Sequence, residues 1–359
     1  MEKRYCIIMA GGTGKHFWPL SREKAPKQYI DLLGTGQTLI QDTYERMCEL
    51  CPKENIFVVT INALFEITKE QLPDIPEEHI LTEPTRRNTA PCIAYANEKI
   101  KKIDEEAQII VTPSDHIIQN RQNFFEVINK GFEFIEKNDA LLTIGLKPTR
   151  PETAFGYIQI EDTSDITDII KVKNFTEKPN LELAEFFIES EEFLWNSGIF
   201  LWSLQSISNA FDKHLPELSE LFEEFKSKFN TPEEAEAVQN IYSGCKNISI
   251  DYGILEKAEN VYVYCGNFGW SDLGTWNTLY DCLPKDESNN IINQQNVMIY
   301  ESNNSIIKVP KNKIAAIQGL DGYIVADTPD ALLICKKEEE YKIRKILNDI
   351  KFKKGEDHI

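Results

Sequence analysis

The chain has 359 residues, enough for one large or two modest domains with a sizeable core. Hydrophobic residues make up 42% and charged residues 27%, the composition of an ordinary soluble globular protein. A net charge of −19 argues against nucleic-acid binding, which shows as a basic patch or a high pI, but leaves room for an anion held in a local cationic pocket. No apolar run approaches the ~18 residues a membrane span needs. Met1-Glu2-Lys3-Arg4 leads directly into a strand pattern without a signal peptide, so a cytoplasmic protein with no membrane partner is expected. The eight cysteines are scattered, and the lone Cys48/Cys51 pair has no second pair or nearby His to complete a zinc site, so reduced structural thiols are expected.

In chain order, Tyr5 to Met9 is a short apolar run with the composition of a buried strand. A glycine-rich turn follows at once: Gly11, Gly12, Thr13, Gly14. Glycines there let the backbone pass close to a bulky anion and turn its N–H groups inward. Lys15, His16, Arg22 and Lys27 add cationic side chains, a pattern suited to a nucleoside triphosphate. Phe17 breaks the dinucleotide pattern, and no Ser or Thr follows Gly14-Lys15, so neither common phosphate-loop motif applies. Asn55 to Thr60, Gln108 to Thr112 and Ala140 to Leu146 read as strands; Thr38 to Leu50, Thr89 to Ile103 and Gln122 to Glu136 read as helices. This alternation predicts an α/β, Rossmann-like fold with a mixed, mainly parallel sheet, whose ligands bind beyond the carboxyl ends of the strands.

From about Thr149 the pattern is mixed. Tyr157 to Ile160, Ile169 to Phe175 and Ile199 to Leu204 read as strands, Leu181 to Phe193 as a helix, and Leu215 to Glu236 as an acidic helical region with a solvated face. The polar run Asp281 to Asn296 suggests a boundary. Five short β-like runs follow, Val297 to Tyr300, Ser305 to Val309, Lys313 to Gln318, Gly322 to Val325 and Ala331 to Cys335, and a charged helix, Lys337 to Phe352. The expected organisation is a large domain over 1–283, with a nucleotide half to about 148 and a second half over 149–283, and a small β domain over 284–359. Spacing alone also fits a small sandwich in that tail.

Several motifs recur in one order: Trp18-Pro19-Leu20-Ser21-Arg22, Pro26-Lys27-Gln28, Glu83-Pro84, Arg87-Asn88-Thr89-Ala90-Pro91 and Pro113-Ser114-Asp115-His116. Further on come Phe155-Gly156-Tyr157-Ile158, Glu177-Lys178-Pro179, Trp195 to Phe200, Ser249 to Gly253 and Trp270 to Gly274. The chain thereby resembles the sugar-1-phosphate nucleotidyltransferases, and its Trp-Pro-Leu-Ser-Arg and Pro-Lys-Gln forms resemble those members that join GTP and mannose 1-phosphate. It departs from the family pattern at His16, where Arg is usual.

The resemblance implies transfer of GMP from GTP to mannose 1-phosphate, with pyrophosphate leaving in line and no protein nucleophile. Catalysis then rests on positioning and charge neutralisation. Asp115 and Asp272 are the implied Mg²⁺ ligands, consistent with the one or two carboxylates Mg²⁺ usually takes. Lys27 and Lys178 are the implied phosphate-binding lysines on the nucleotide and sugar sides. Glu83 is a candidate reader of guanine through its carboxylate, and Asn88 and Thr89 are candidates for holding base or ribose. Gly156, Tyr157, Glu177, Asn196 and Asp251 form the implied sugar pocket. Trp195 and Trp202 read as core. The tail is expected to resemble a small left-handed β-helix that associates subunits into a homodimer or other homo-oligomer. Two alternatives stay open: another sugar phosphate or nucleotide, and a non-catalytic nucleotide-sugar sensor, motivated by His16 and opposed by the intact Asp115, Asp272, Lys27 and Lys178.

Overall fold

A computed structural model describes residues 2–161, 169–292 and 296–359, so residues 293–295 of the polar run at Asp281 to Asn296 lie outside it. The strands are β1 (Arg4–Met9), β2 (Ile56–Ile61), β3 (Ile80–Glu83), β4 (Gln108–Pro113), β5 (Ile117–Ile118), β6 (Leu141–Leu146), β7 (Gly156–Ile160), β8 (Ile169–Glu177), β9 (Phe193–Ser203), β10 (Val261–Gly266), β11 (Trp270–Ser271), β12 (Ile291–Ile292), β13 (Val297–Tyr300), β14 (Ile306–Lys308), β15 (Ala315–Gln318), β16 (Tyr323–Asp327) and β17 (Leu332–Lys336). The helices are α1 (Leu39–Cys48), α2 (Phe65–Gln71), α3 (Thr89–Lys101), α4 (Arg121–Ile135), α5 (Leu181–Glu189), α6 (Leu204–His214), α7 (Pro216–Phe225), α8 (Glu234–Gly244), α9 (Trp276–Cys282) and α10 (Ile343–Lys354). No helix among the described residues is long and apolar enough to cross a membrane.

The chain divides into two compact units that are discontinuous in sequence. One comprises Met1–Gly11, Thr43–Ser114 and Ile118–Trp270; the other comprises Gly12–Asp42, Asp115–Ile117 and Ser271–Ile359. The first is built on a nine-stranded sheet in the order β3-β2-β1-β4-β9-β6-β10-β8-β7. Strands β1 to β4 run parallel, as the strand–helix alternation predicts, with Met9 opposite Val59 and Pro113, and Glu83 opposite Ile61. The carboxyl ends carrying Met9, Glu83 and Pro113 therefore share one edge of the sheet. Strand β9 enters antiparallel between β4 and β6, which makes the sheet mixed. Its core joins Ile7, Phe57, Ile93, Ile109, Phe200 and Trp202, all almost fully buried. Runs of this kind bury both faces and read as continuous apolar stretches.

Two local readings change. The expected helix over Leu181 to Phe193 ends at Glu189, and Phe193 already begins β9, which runs eleven residues to Ser203. Apolar Phe193, Leu194 and Trp195 fit either period, and pairing with β7 decides for the strand. The acidic region at Leu215 to Glu236 is two helices, α7 and α8, interrupted between Lys226 and Glu233.

In the second unit, β12, β14 and β16 pair in parallel, Ile291 with Ile306 and Ile306 with Ile324, while β13 pairs in parallel with β15. These parallel rungs are β-helix-like and not the pairing of an antiparallel sandwich; only the β16–β17 hairpin at the end of the sheet is antiparallel among the described strands of this sheet. Ile306 and Ile324, aligned by that register, join Phe17, Leu273, Trp276 and Leu279 in this unit's core. The charged terminal segment begins as a tight turn over Lys337–Lys342 and becomes α-helical only from Ile343.

Candidate active site

The candidate residues fall into three groups, two in the first unit and one in the second. The first group stands at the carboxyl edge of the sheet. Glu83 ends β3 and is 4% exposed. Its Oε1 accepts a hydrogen bond from the Tyr242 hydroxyl at 2.9 Å, and a side chain at Gly11 would bring Cβ to 3.3 Å from Oε2. Burial pushes the Glu83 carboxyl up to about 7, against the pull of the Tyr242 bond and Arg86. Arg86 donates from Nε to the Gly11 carbonyl at 2.8 Å. Glu83 thus lies buried beside Gly11 and bonded to Tyr242, where the guanine reading expects an open carboxylate. Asn88 has φ of 70° and caps α3 by accepting from Thr89 N at 2.9 Å, while its side chain stays exposed. The Thr89 hydroxyl accepts from Ile250 N at 2.8 Å, fixing the segment that carries Asp251 instead of pointing outward.

The second group is assembled by strand register. Gly156 on β7 lies opposite Glu177 on β8. A Cβ at Gly156 would stand 2.4 Å from Glu177 Oε2, so a larger residue there would push that carboxylate off its present place against the strand. Lys178 follows with φ of 49°, its ammonium 3.0 Å from Glu177 Oε1 and largely exposed. Asn196 Nδ2 donates to Asp251 Oδ1 at 2.8 Å, while its Oδ1 accepts from Thr143 Oγ1 and Gly198 N, each at 3.2 Å. Those acceptor bonds fix which way the amide faces. Burial first, then the Glu177 charge, pushes Asp251 up to about 6. Tyr157 does not join this group: it is fully buried, its ring packs near Phe187, and its hydroxyl accepts from Glu152 N at 3.0 Å. Alternation along β7 turns its side chain away from the neighbours of Gly156. Trp195 and Trp202 are buried, as core residues.

The third group lies in the second unit. Gly14 has φ of 46°, and a Cβ there would meet Lys27 N at 2.5 Å; no other residue lets the loop close so tightly. Gly12 has nothing within 4 Å of its Cβ direction, and its carbonyl accepts from Gln28 Nε2 at 3.0 Å. Lys27 is central. Its Nζ donates to the backbone carbonyls of Asp272 at 2.6 Å and Leu273 at 3.1 Å, and lies 3.1 Å from Asp115 Oδ2. One cation thereby joins Asp115 and the Asp272 turn, two aspartates 157 positions apart in the chain. Gly274 N donates to Asp272 Oδ1 at 3.1 Å, holding that carboxylate over the turn. Lys27 thus meets the carboxylate of Asp115 and the backbone carbonyls of the Asp272 turn, and the Asp272 carboxylate itself is held by Gly274 N.

Lys15 pairs with Glu23. His16 is exposed, and its pKa is lowered first by partial desolvation, then by Lys27 and Arg344, with Glu340 and Asp272 opposing. Arg22 departs from expectation. Its guanidinium donates to the carbonyls of Pro19 and His358, to Thr328 Oγ1 at 3.3 Å and to Asp330 Oδ1 at 2.9 Å. It ties the loop to the C-terminal segment and leaves no fork for phosphate. Gln28, Arg86 and Tyr242 support the first and third groups without having been singled out by sequence; Gln28 alone stood inside a recognised motif.

A family model for nucleotidyl transferases matches residues 5–289, and one for the mannoseP isomerase/GMP-like β-helix domain matches residues 295–350. The chain belongs to the nucleotidyl transferase family. It is 32% identical to a mannose-1-phosphate guanylyltransferase of Escherichia coli, over 98% of this chain and 76% of that protein. It is also 32% identical to one of Salmonella muenchen, over 100% and 76%. Among solved structures, the mannose-1-phosphate geranyltransferase of Thermus thermophilus superposes with a TM-score of 0.87 at 28% identity, covering 97% of this chain and 99% of that one.

Proposed function

We propose that this nucleotidyltransferase transfers GMP from GTP to mannose 1-phosphate, releasing pyrophosphate. Mannose 1-phosphate and the guanylyl group are those in the name of the E. coli and S. muenchen relatives, mannose-1-phosphate guanylyltransferase. The observation that carries the reaction type is Lys27, held between the Asp115 carboxylate and the Asp272 and Leu273 carbonyls beside a loop that only glycine at position 14 permits. An oxygen of the sugar phosphate attacks the α-phosphorus, the bond to the bridging oxygen breaks, and pyrophosphate leaves with the electron pair. Lys27 and the backbone N–H groups of Gly12, Thr13 and Gly14 hold the triphosphate, with Lys15 and His16 adding charge. Arg86 holds the Gly11 carbonyl beside the buried Glu83, and Asn88 is left for the base or ribose. Lys178 takes the sugar phosphate, and Glu177, Asn196 and Asp251 bond the hexose hydroxyls. Such bonds penalise a missing or misplaced hydroxyl. Asp115 and Asp272 would hold Mg²⁺, which would supply charge neutralisation on the phosphates. The β-helix-like rungs are proposed to associate copies of the chain into a homodimer or larger homo-oligomer.

The test is pyrophosphate release across a panel of nucleoside triphosphates and sugar 1-phosphates, with and without chelator. GTP with mannose 1-phosphate should give the highest kcat/KM, abolished by chelation. A better pair would move the substrate assignment, and turnover in chelator would remove the metal role.

A further inference from the structure

A concavity of about 740 Å³ opens beside the glycine loop, lined on one side by Thr13, Lys15 and His16 and on the other by Arg344, Asn348 and Lys351 of α10. Three permanent cations thus face one space in a chain whose net charge is −19. Two of them already have partners: Lys15 pairs with Glu23, and Lys351 with Glu356 at 2.5 Å. Among the described residues the Arg344 guanidinium, which is exposed, has no hydrogen-bond or ion-pair partner. The acid nearest in sequence on the same wall, Glu340, is turned to other work. Its carboxylate accepts from Trp276 N at 2.7 Å and from Asn277 Nδ2 at 2.6 Å. Arg344 also contributes to the lowering of the His16 pKa, so its charge reaches the loop. The anchor is firm at the base: Ile343, one residue before, is 3% exposed in the core that holds Phe17.

We propose that Arg344 is a further substrate-binding residue, reaching from α10 to the β- and γ-phosphates of the nucleoside triphosphate and to pyrophosphate in the reverse direction. It supplies the planar, permanently charged fork that His16 does not provide and that Arg22, engaged with Asp330 and the His358 carbonyl, cannot. The terminal helix, outside the strand–helix pattern of the catalytic fold, then contributes directly to triphosphate recognition. The inference rests on the phosphate-binding reading of the Gly12–His16 loop.

The test compares wild type, Arg344→Gln and Arg344→Lys by calorimetric titration with inorganic pyrophosphate, GTP and GMP in the presence of Mg²⁺. A charge-assisted bond lost from one anionic group should weaken pyrophosphate and GTP by about tenfold or more. GMP, which lacks the outer phosphates, should stay within about twofold on the same argument, and Arg344→Lys should fall between. An unchanged pyrophosphate affinity overturns the proposal, as does a loss for GMP equal to that for GTP, which would mark a purely structural role. Pyrophosphate titration needs no turnover, so it fails or succeeds separately from the GTP and mannose 1-phosphate transfer assay on the wild type.

Discussion

Glu83 offers a stability experiment whose sign and size follow from its surroundings. Its carboxyl, 4% exposed, is pushed from an ordinary 4.5 up to about 7, chiefly by burial. At ~1.4 kcal/mol per pH unit, such a shift is worth about 3 kcal/mol. The unfolded chain releases this proton near 4.5, whereas the folded protein keeps it to about 7. Between those values the folded state binds more protons, so stability falls as pH rises through the window and stays lower above it. Glu83→Gln keeps the shape and an acceptor for the Tyr242 hydroxyl but has no proton to lose. Urea unfolding of both proteins at steps from pH 4.5 to 8 should therefore show the wild type losing about 3 kcal/mol relative to the variant. Asp251, also raised, is present in both and cancels. Parallel pH profiles would refute the buried-carboxyl reasoning. Tyr242→Phe supplies the converse: the Tyr242 bond holds the Glu83 carboxyl down, so its loss should extend the falling limb to higher pH.

Asp115→Asn and Asp272→Asn should each lower turnover at least ~100-fold with folding intact, read as pyrophosphate release across a Mg²⁺ series; near-normal turnover at low Mg²⁺ would remove the metal assignment. Asp251→Asn should raise the KM for the sugar phosphate by about tenfold or more while leaving the KM for the nucleotide alone, since Asn196 would then face an amide instead of a carboxylate. Because Asp251 is pushed up to about 6, the wild-type KM for the sugar phosphate should fall as pH rises through that value and the carboxylate forms; a flat profile would refute the role. His16 is held below its ordinary pKa by desolvation, Lys27 and Arg344, which outweigh Glu340 and Asp272, and a bound triphosphate would favour its imidazolium further. The KM for GTP should thus rise between pH 6 and 8, and His16→Arg should abolish that rise; a pH-independent wild type would reject the imidazolium role.

The parallel half of the sheet was legible because its strands are uninterrupted apolar runs: Cys6 to Ile8 and Ile109 to Val111 are buried on both faces and carry no competing helical period. The glycine loop and Lys27 were legible because a motif brought them to notice, and the 2.5 Å approach of a Gly14 Cβ to Lys27 N explains the glycine physically. Where the observed partners differ from the expected ones, packing and long-range contacts are the cause. Arg22 resembles a phosphate ligand until Asp330 and the His358 carbonyl, more than 300 residues on, take up its fork. Glu83 resembles an open loop carboxylate until Tyr242 and Gly11 enclose it. Tyr157 sits in the right motif, but the pleat sends its side chain to Phe187 and Glu152.

Backbone conformation shows a second reason for this limit, one that local propensity cannot overcome. Asn88, Lys178 and Leu273 all have positive φ, of 70°, 49° and 45°, a region that non-glycine residues seldom enter. Of the other non-glycine residues with positive φ, Asn230, Asn289 and Asn304 are asparagines, for which the cost is small, while Glu191 and Glu301 stand outside the candidate groups. A lysine and a leucine there cost of order 1 kcal/mol or more each and persist only where their surroundings over-determine them. Those surroundings are visible. Lys178 N donates to the Phe155 carbonyl at 3.1 Å, and Leu273 is fully buried while its carbonyl accepts from Lys27. Both strained residues belong to turns that present a candidate phosphate or metal group: Lys178 itself, and Asp272 beside Leu273. Relaxing either turn would release the strain and misplace that group together, which is why the local preference yields here to the tertiary contacts.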